Sequence, residues 1–503
     1  VSRSRLSRDR SAILIAAGIA GLLLVAGAVE WFRLFPSLAF AIQRSPGRLP
    51  SSVLVPDQEI ARGVPLLSVY VEPTHLYDET KGILRHRLRK GIEWERPAFV
   101  SYYDGGQLLY AAEAGIRVHG GKSRQFSPVM SYRLYFRKQY GADEFPRALL
   151  FAPGREPLTR FVAHNDLRQD KWGMWWHFVN PLAFDIVRRM GGIAPQTKPA
   201  VLYLNGRLQG PYVLTEHTIH PGFLRSTFGH ANFTYGEASH RAAIWRRTRR
   251  IEKLSMEVVG RMVDLESFTR WFIGIVWCAV TDPFQGLLLR DNTRPDAAWF
   301  LVNWDMDHAF QDLYQQAPKG TPWEHDTFRT LWRERDIRAE LITRLIREDP
   351  AYREYFKERF VRAVNYELTE TFLQERFDYY ARTAANLRVP HRDYLPILQD
   401  FFRRRTAALM RMAPRYVESP GAYRYTLKAP DAGFVRVNGR DVEETFTGWF
   451  FHDMPVQIEA VEGPSRLFAY WVVNGERLVN AGPVLRVPAT QHVAIEAVFR
   501  STT

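Results

Sequence analysis

The sequence predicts an α+β protein. A mixed body of strands and helices follows an N-terminal transmembrane helix and precedes a small C-terminal β-sandwich. Three observations predict this. Residues 12–29 are an uninterrupted apolar and small-residue run, about the 18 residues that a bilayer core requires. Between 64 and 216, short apolar runs punctuated by Gly, Asn and Pro read as strands, whereas 266–280 and 329–412 carry apolar residues at helical spacing. After Pro414 short strands alternate with Asn-Gly turns.

A chain of 503 residues is long enough for two or three domains. With 46% hydrophobic and 14% aromatic residues it is globular rather than disordered. The net charge of +14 admits a nucleic-acid binder. The arginines are spread along helices, however, and no recognition motif appears, so no nucleic-acid partner is expected. An anionic membrane surface or an acidic substrate such as a nucleotide fits the charge as well. The single cysteine, Cys278, lies in an apolar helix and forms no internal disulfide.

Taken in order, Arg3, Arg5, Arg8 and Arg10 make residues 1–11 a basic tail that favours the cytoplasmic side. Residues 12–32 are the expected signal anchor, closed by Trp31 and Phe32 as interfacial residues. Ala26-Gly27-Ala28 also resembles a signal-peptidase site, and cleavage is the alternative. Either way the rest of the chain faces away from the cytoplasm. Residues 33–63 are a linker. The body, 64–415, opens with strands at 64–71, 92–100, 107–112, 115–118 and 132–137. Residues 160–166 are a strand ending in His164 and Asp166, with His164 read as a structural hydrogen bonder. A hairpin, 200–204 and 212–216, closes around Asn205-Gly206, a strong turn signal. Residues 230–250 are polar and arginine-rich and read as a solvated insertion. The helix 266–280 runs into Thr281-Asp282-Pro283, where Pro283 disfavours helix at Asp282. Strands at 286–290 and 299–302 follow. The helical lobe 329–412 has charged faces read as solvent faces. Residues 420–503 are the sandwich, and its stretch 468–475 resembles a bacterial extracellular repeat module.

The chemistry concentrates after 280. Asp305 and Asp307 follow the apolar run 299–302, one residue apart. In extended chain both point to one side. Such a pair needs a cation, a shared proton or water. A solvated strand end and a metal site both satisfy this. Trp304 and Phe310 flank the pair and favour the metal site. Asp282 and Gln285 lie upstream. Phosphoryl transfer from ATP to a hydroxyl uses these residue types: an Asp to orient the hydroxyl, and an amide oxygen and carboxylates for Mg2+. No zinc-spaced Cys/His cluster, Gly-x-Ser-x-Gly elbow or dinucleotide fingerprint is present, so hydrolase and dehydrogenase readings lack support.

Trp304-Asp305-Met306-Asp307 with Ala309 and Phe310 resembles the Trp-Asp-x-Asp-x-x-Phe segment of the CotH family of atypical kinases. Gly120-Gly121-Lys122-Ser123-Arg124, the strand from Ser131 to Phe136, and Asn205-Gly206 with Tyr212 and Glu216 resemble that family's earlier segments in the same order, over roughly 66–310. The resemblance implies a two-lobed kinase-like domain over 64–415. It implies Asp282 as the catalytic residue and Asp305 as metal ligand, helped by Gln285 or Asp307. Lys122, Arg133 and Glu216 become nucleotide-binding candidates. ATP and Mg2+ become the expected cofactors, with a protein acceptor or an envelope partner. Two positions depart from the family pattern: Met130 stands where Lys is usual, and Gln285 where Asn is usual. The alternatives are therefore a pseudokinase scaffold and a nucleotide-dependent transferase of another group. The expected location is the bacterial inner membrane, single-pass, with the folded domains outside the cytoplasm.

Overall fold

The computed structural model describes residues 55–501, apart from 122, 128, 153–155, 170–174, 284, 312–319, 334–335, 429–434, 443–444, 453, 464–465 and 479. The expected anchor at 12–32 and most of the linker lie outside the described residues, as does Lys122. Among the described residues no helix is long and apolar enough to cross a membrane.

The chain forms two compact units. The first runs to Asn165 and resumes over Thr197–His230. Its seven strands are β1 (Leu66–Tyr70), β2 (Arg96–Asp104), β3 (Gln107–His119), β4 (Ser131–Tyr135), β5 (Arg160–His164), β6 (Thr197–Leu204) and β7 (Arg207–Glu216). They close a barrel in the order β1-β2-β3-β4-β5-β7-β6, with β6 parallel to β1. Period-two alternation decides what fills it. Tyr110, Ala112, Ala114 and Ile116 of β3 and Tyr132 and Leu134 of β4 join the buried core cluster with Phe161, Leu202 and Leu214. The intervening Arg117 and Arg133 pair across the β3–β4 ladder on the other face. The expected separate strands at 107–112 and 115–118 are thus one strand. Residues 92–94 form a 3₁₀ turn, with the strand starting only at Arg96. Asn205 (φ 51°) and Gly206 (φ 70°) make the hairpin turn, both left-handed as that turn demands. The Asn205 side chain clasps Val71, accepting from its N–H and donating to its carbonyl at 2.7 Å each. A short helix, α1 (Pro221–Phe228), ends the unit.

The second unit comprises Asp166–Gln196 and the chain from Ala231. Its helices include α2 (Val179–Arg189), α3 (Ala238–Arg249), α4 (Leu265–Trp277), α5 (Ile337–Glu348), α6 (Pro350–Arg362), α7 (Glu370–Asn386) and α8 (Tyr394–Met412). Strands β8 (Phe233–Tyr235), β9 (Leu287–Asp291) and β10 (Phe300–Val302) form an antiparallel sheet. The stretch 230–250, expected to be a solvated insertion, therefore supplies β8 and α3. Ile244 and Thr248 of α3 are buried, and Trp245 donates to Glu340 of α5. Asp264 caps α4 through the Ser267 N–H at 2.6 Å, as an Asp at that position should. Gly274 lets α4 approach α2: a Cβ there would sit 3.1 Å from Val187.

The C-terminal strands make two sheets, as the alternation of strands and turns predicts. One is five-stranded, built from 422–428, 445–451, 466–473, 476–478 and 493–501. The other is four-stranded, from 435–437, 440–442, 455–460 and 484–488. Asn365 docks the first sheet, accepting from Trp449 N–H at 2.8 Å and donating to its carbonyl at 3.0 Å.

Candidate functional site

The acidic residues of the second unit sit on two segments that the backbone ties together. The first leaves α4 at Cys278, turns through Ala279 (φ 51°) and reaches Asp282. The second leaves β10 at Val302 and runs through Asp305 and Asp307 to Phe310. The Phe310 N–H donates to Cys278 O at 2.7 Å. The Thr281 N–H donates to His308 O at 3.1 Å, and the Thr281 hydroxyl to the same oxygen at 3.3 Å. Asp282 and Asp307 are therefore one residue from a direct cross-link, and Asp305 three. Phe310 and Trp277 both pack on Phe401 of α8, with ring centroids 5.3 and 5.8 Å apart.

Asp282, Gln285 and Asp305 are half-buried, and Asp307 is buried. Gln285 donates through Nε2 to Asp282 Oδ2 at 3.0 Å, which fixes that carboxylate and leaves the amide oxygen free to serve as a donor to a cation. Trp271 holds the Gln285 carbonyl at 3.1 Å. Next to it Gly286, at φ 121°, takes a backbone conformation that other residues avoid.

The expected extended geometry at the paired acids does not hold. β10 ends at Val302, and Asp305 adopts φ 58°, left-handed rather than extended. Period-two alternation stops where the strand stops, so it no longer decides where Asp305 and Asp307 point. The segment's backbone bonds go elsewhere instead: Asn303 N–H to Ile193 O at 2.8 Å, and Gln311 Nε2 to Asp307 O at 3.0 Å. Asp307 lies 3.7 Å from the His308 ring.

The donor set decides which cation fits. Among the described residues no three His, Cys, Asp or Glu side chains gather as a metal cage. Mg2+ does not need one. It takes one or two protein carboxylates and completes its shell with phosphate and water. Asp305 and Asp307 with the Gln285 amide oxygen are hard oxygen donors of that kind. Nearby, the buried Asn303 Oδ1 and Gln311 Oε1 have no hydrogen-bond partner, as acceptors awaiting a donor or an ion do.

In the first unit the remaining candidates diverge. Met130 is 6% exposed and belongs to the barrel core, where its carbonyl accepts from Tyr212 Oη at 2.7 Å. Glu216 is 2% exposed, and its carboxylate is bound by Arg147. Arg133 lies on the outer face of β4. Its Nη2 donates to His119 Nδ1 at 2.7 Å, and its Nη1 to Tyr135 Oη at 3.3 Å. Burial, then the charge of Arg133, holds the His119 pKa well below that of a free imidazole. A neutral ring accepting at Nδ1 carries its proton on Nε2.

Sequence reasoning missed Arg405. It is fully buried and donates to four carbonyls: Val276 and Trp277 at the end of α4, Trp323 and His325. The expectation that charged residues of the helical lobe face solvent fails there, and at Arg338 and Lys357, which are also buried. A signal existed. Arg405 lies on the stripe of Phe401, Phe402, Ala408 and Leu409, three and four residues away on either side.

Strained turns, two cross-linked acidic segments and an amide-braced carboxylate mark the second unit of this α+β protein. The chain belongs to the CotH kinase protein family, whose model matches residues 116–257 and 245–399. Among solved structures, the crystal structure of a Helicobacter pylori proinflammatory kinase, CtkA, matches at 9% identity. The match covers 61% of this chain and 95% of that one, with a TM-score of 0.31. No curated protein matches the chain.

Proposed function

We propose that the chain is an envelope-anchored, divergent CotH-type kinase that moves a phosphoryl group from ATP to a protein hydroxyl with the help of Mg2+. The observation that supports this reading is the pair of clips, Thr281 to His308 and Phe310 to Cys278, which cross-link the segment carrying Asp282 to the segment carrying Asp305 and Asp307. In this reading Asp282 accepts the hydrogen bond, and then the proton, of the acceptor hydroxyl. Gln285 holds one oxygen of that carboxylate, so the other is the one presented. Asp305, with Gln285 Oε1 or Asp307, holds the metal. Bound there, Mg2+ neutralises charge on the phosphates. The acceptor oxygen gains the phosphoryl group as its bond to the ADP oxygen breaks. Arg133 is the candidate phosphate contact of the first unit.

A second reading, the pseudokinase scaffold, is favoured by Met130. Its side chain is committed to the barrel core and offers no charge to a nucleotide. Metal-dependent ATP binding and phosphoryl turnover by the purified chain separate the two. For a kinase, Asp305→Ala loses metal-dependent binding. Asp282→Ala keeps binding but loses turnover by roughly 10²–10⁴-fold, the usual weight of a general base. ATP binding without phosphoryl transfer points to a transferase of another group. Absence of metal-dependent binding in the wild type refutes the kinase and leaves the scaffold.

A further inference from the structure

We propose that the segment between β1 and β2, residues 71–95, presents a docking surface for an anionic lipid bilayer. Its apolar side chains sort into two sets. Leu76 and Ile83 are buried in the barrel core cluster, and Leu84 and Trp94 pack against it. Tyr77, Leu88 and Ile92 stay outside the core and are 60%, 53% and 62% exposed. Among the described residues nine large hydrophobic side chains are exposed, and three of them fall within 77–92, where an even spread would put fewer than one. Such a concentration of open apolar side chains marks an interaction surface.

Cations surround them. Residues 81–92 hold Lys81, Arg85, Arg87, Arg89 and Lys90 and no acid. All of these but Arg87 are exposed. Asp78, Glu79 and Glu93 lie at the two ends, so the surface stays net positive, and Glu79 approaches Arg85 only to 3.8 Å. The backbone beneath is fixed. The N–H groups of Ile83 and Leu84 donate to the carbonyls of His75 and Leu76 at 2.9 Å each. Arg96 bridges the carbonyls of Lys81 and Glu93 at 2.7 Å each. Arg124 donates to the carbonyls of Arg87 and Arg89 at 3.0 Å each. The exposed side chains are thus borne on an ordered layer rather than on a frayed loop.

The mixture selects the occupant. A nucleic acid would use the cations but gains nothing from open Leu and Ile side chains. A protein interface is depleted in Lys at its apolar centre, whereas here Arg89 and Lys90 stand between Leu88 and Ile92. An anionic bilayer takes both kinds of side chain: the apolar ones enter the headgroup boundary and the cations meet the lipid charge. Chain position agrees. Residues 33–65 join the expected anchor, 12–32, to β1, and a tether of that length holds the first unit within reach of the membrane. The inference takes proximity alone from that anchor and nothing from the phosphotransfer reading.

The test uses the full chain with vesicles of phosphatidylcholine, alone or with about a third phosphatidylglycerol. Cys278 is buried, so the thiol introduced by Leu88→Cys, or separately by Ile92→Cys, is the one that takes an environment-sensitive dye. Dye emission should shift to the blue, and lipid-borne quenchers should reach it, in the anionic vesicles only. Salt at about 0.5 M should reverse the shift. A cation near such a surface is worth about a factor of five in partition, so Arg85→Gln/Lys90→Gln should lower the ratio of docked to undocked chain roughly twenty- to thirtyfold. Both positions are exposed, so the fold is kept. The dye reads the patch whether or not residues 12–29 insert. A chain that floats with the vesicles and shows no shift leaves the anchor standing and overturns the docking surface. An equal shift in neutral vesicles, or a shift indifferent to the charge variant, overturns it too. So does a shift brought on by duplex DNA instead of lipid, which reassigns the cations. A shift that grows with protein concentration in the absence of lipid also overturns it and assigns the surface to a second copy of the chain.

Discussion

Replacing Arg405 by Met should destabilise the second unit by about 3–5 kcal/mol, and the figure follows from its partners. The guanidinium donates four hydrogen bonds to buried carbonyls. Two of these belong to the last turn of α4, where a helix end favours positive charge. Charge-assisted bonds are worth roughly 1.5–3 kcal/mol each, so the gross loss is ~6–12 kcal/mol. Met removes the cost of burying an ion, which returns several kcal/mol. It fills similar space over the Phe401 ring, 5.6 Å from the charge, and adds little cavity cost. The difference is a drop of roughly 10 °C in Tm for a unit of this size. Urea denaturation followed by far-UV circular dichroism measures it. Arg405→Lys should fall between, because an ammonium has three donors and no fork. A loss below ~1 kcal/mol for Met, or a Lys variant as stable as wild type, would falsify the view that Arg405 staples α4.

Acid should unfold the first unit early. His217 and His220 are buried, and burial lowers both pKa values, His220 to about 3; His119 is lowered in the same way. Their folded pKa values lie below the unfolded ~6.5, so their stabilisation is complete above pH 6.5 and is lost as pH falls below it. Each contributes up to ~1.4 kcal/mol per pH unit, and His217→Gln should flatten the acid limb by about a third; an unchanged limb refutes this. Glu216→Ala should cost about 3–5 kcal/mol by stranding Arg147, whereas Glu216→Leu with Arg147→Met should be nearly neutral; equal losses in urea titrations would sink the buried-pair account. Met130→Lys should lower stability by at least ~2 kcal/mol, because it puts an ammonium in the barrel core, and should not confer ATP binding. A stable variant that gains ATP affinity overturns that.

Much of the fold was legible because it rests on periodicity. Alternation identified most strands of the first unit and those of the two C-terminal sheets, and Asn205-Gly206 announced a hairpin. The apolar run at 266–280 announced α4. The family resemblance was carried by short ordered motifs, and the match over 116–399 upholds it. What failed had physical reasons. Residues 230–250 looked solvated because α3 is amphipathic only through Ile244 and Thr248. Charged residues were assigned to solvent by composition, yet a guanidinium with enough carbonyls is content in a core, as Arg405 is. Asp305 and Asp307 were placed by extrapolating β10 three residues past its end. Left-handed backbone at an Asp leaves no mark in sequence, since Asp tolerates it without requiring it.

That conformation ties the site to the scaffold. Ala279, Asp305 and Phe310 all have positive φ, and none is glycine. Each such residue costs on the order of 1 kcal/mol or more and persists only where its surroundings over-determine it. All three lie on the two segments that carry the acids, within three residues of a clip. The forces that hold them are identifiable: the Thr281 and Phe310 bonds, the Arg405 staple under Val276 and Trp277, and the Phe401 and Phe402 rings against Trp277 and Phe310. A turn serving only to connect β10 to the next helix has easier backbones available. The strain is concentrated on the two cross-linked segments that carry Asp282, Asp305 and Asp307.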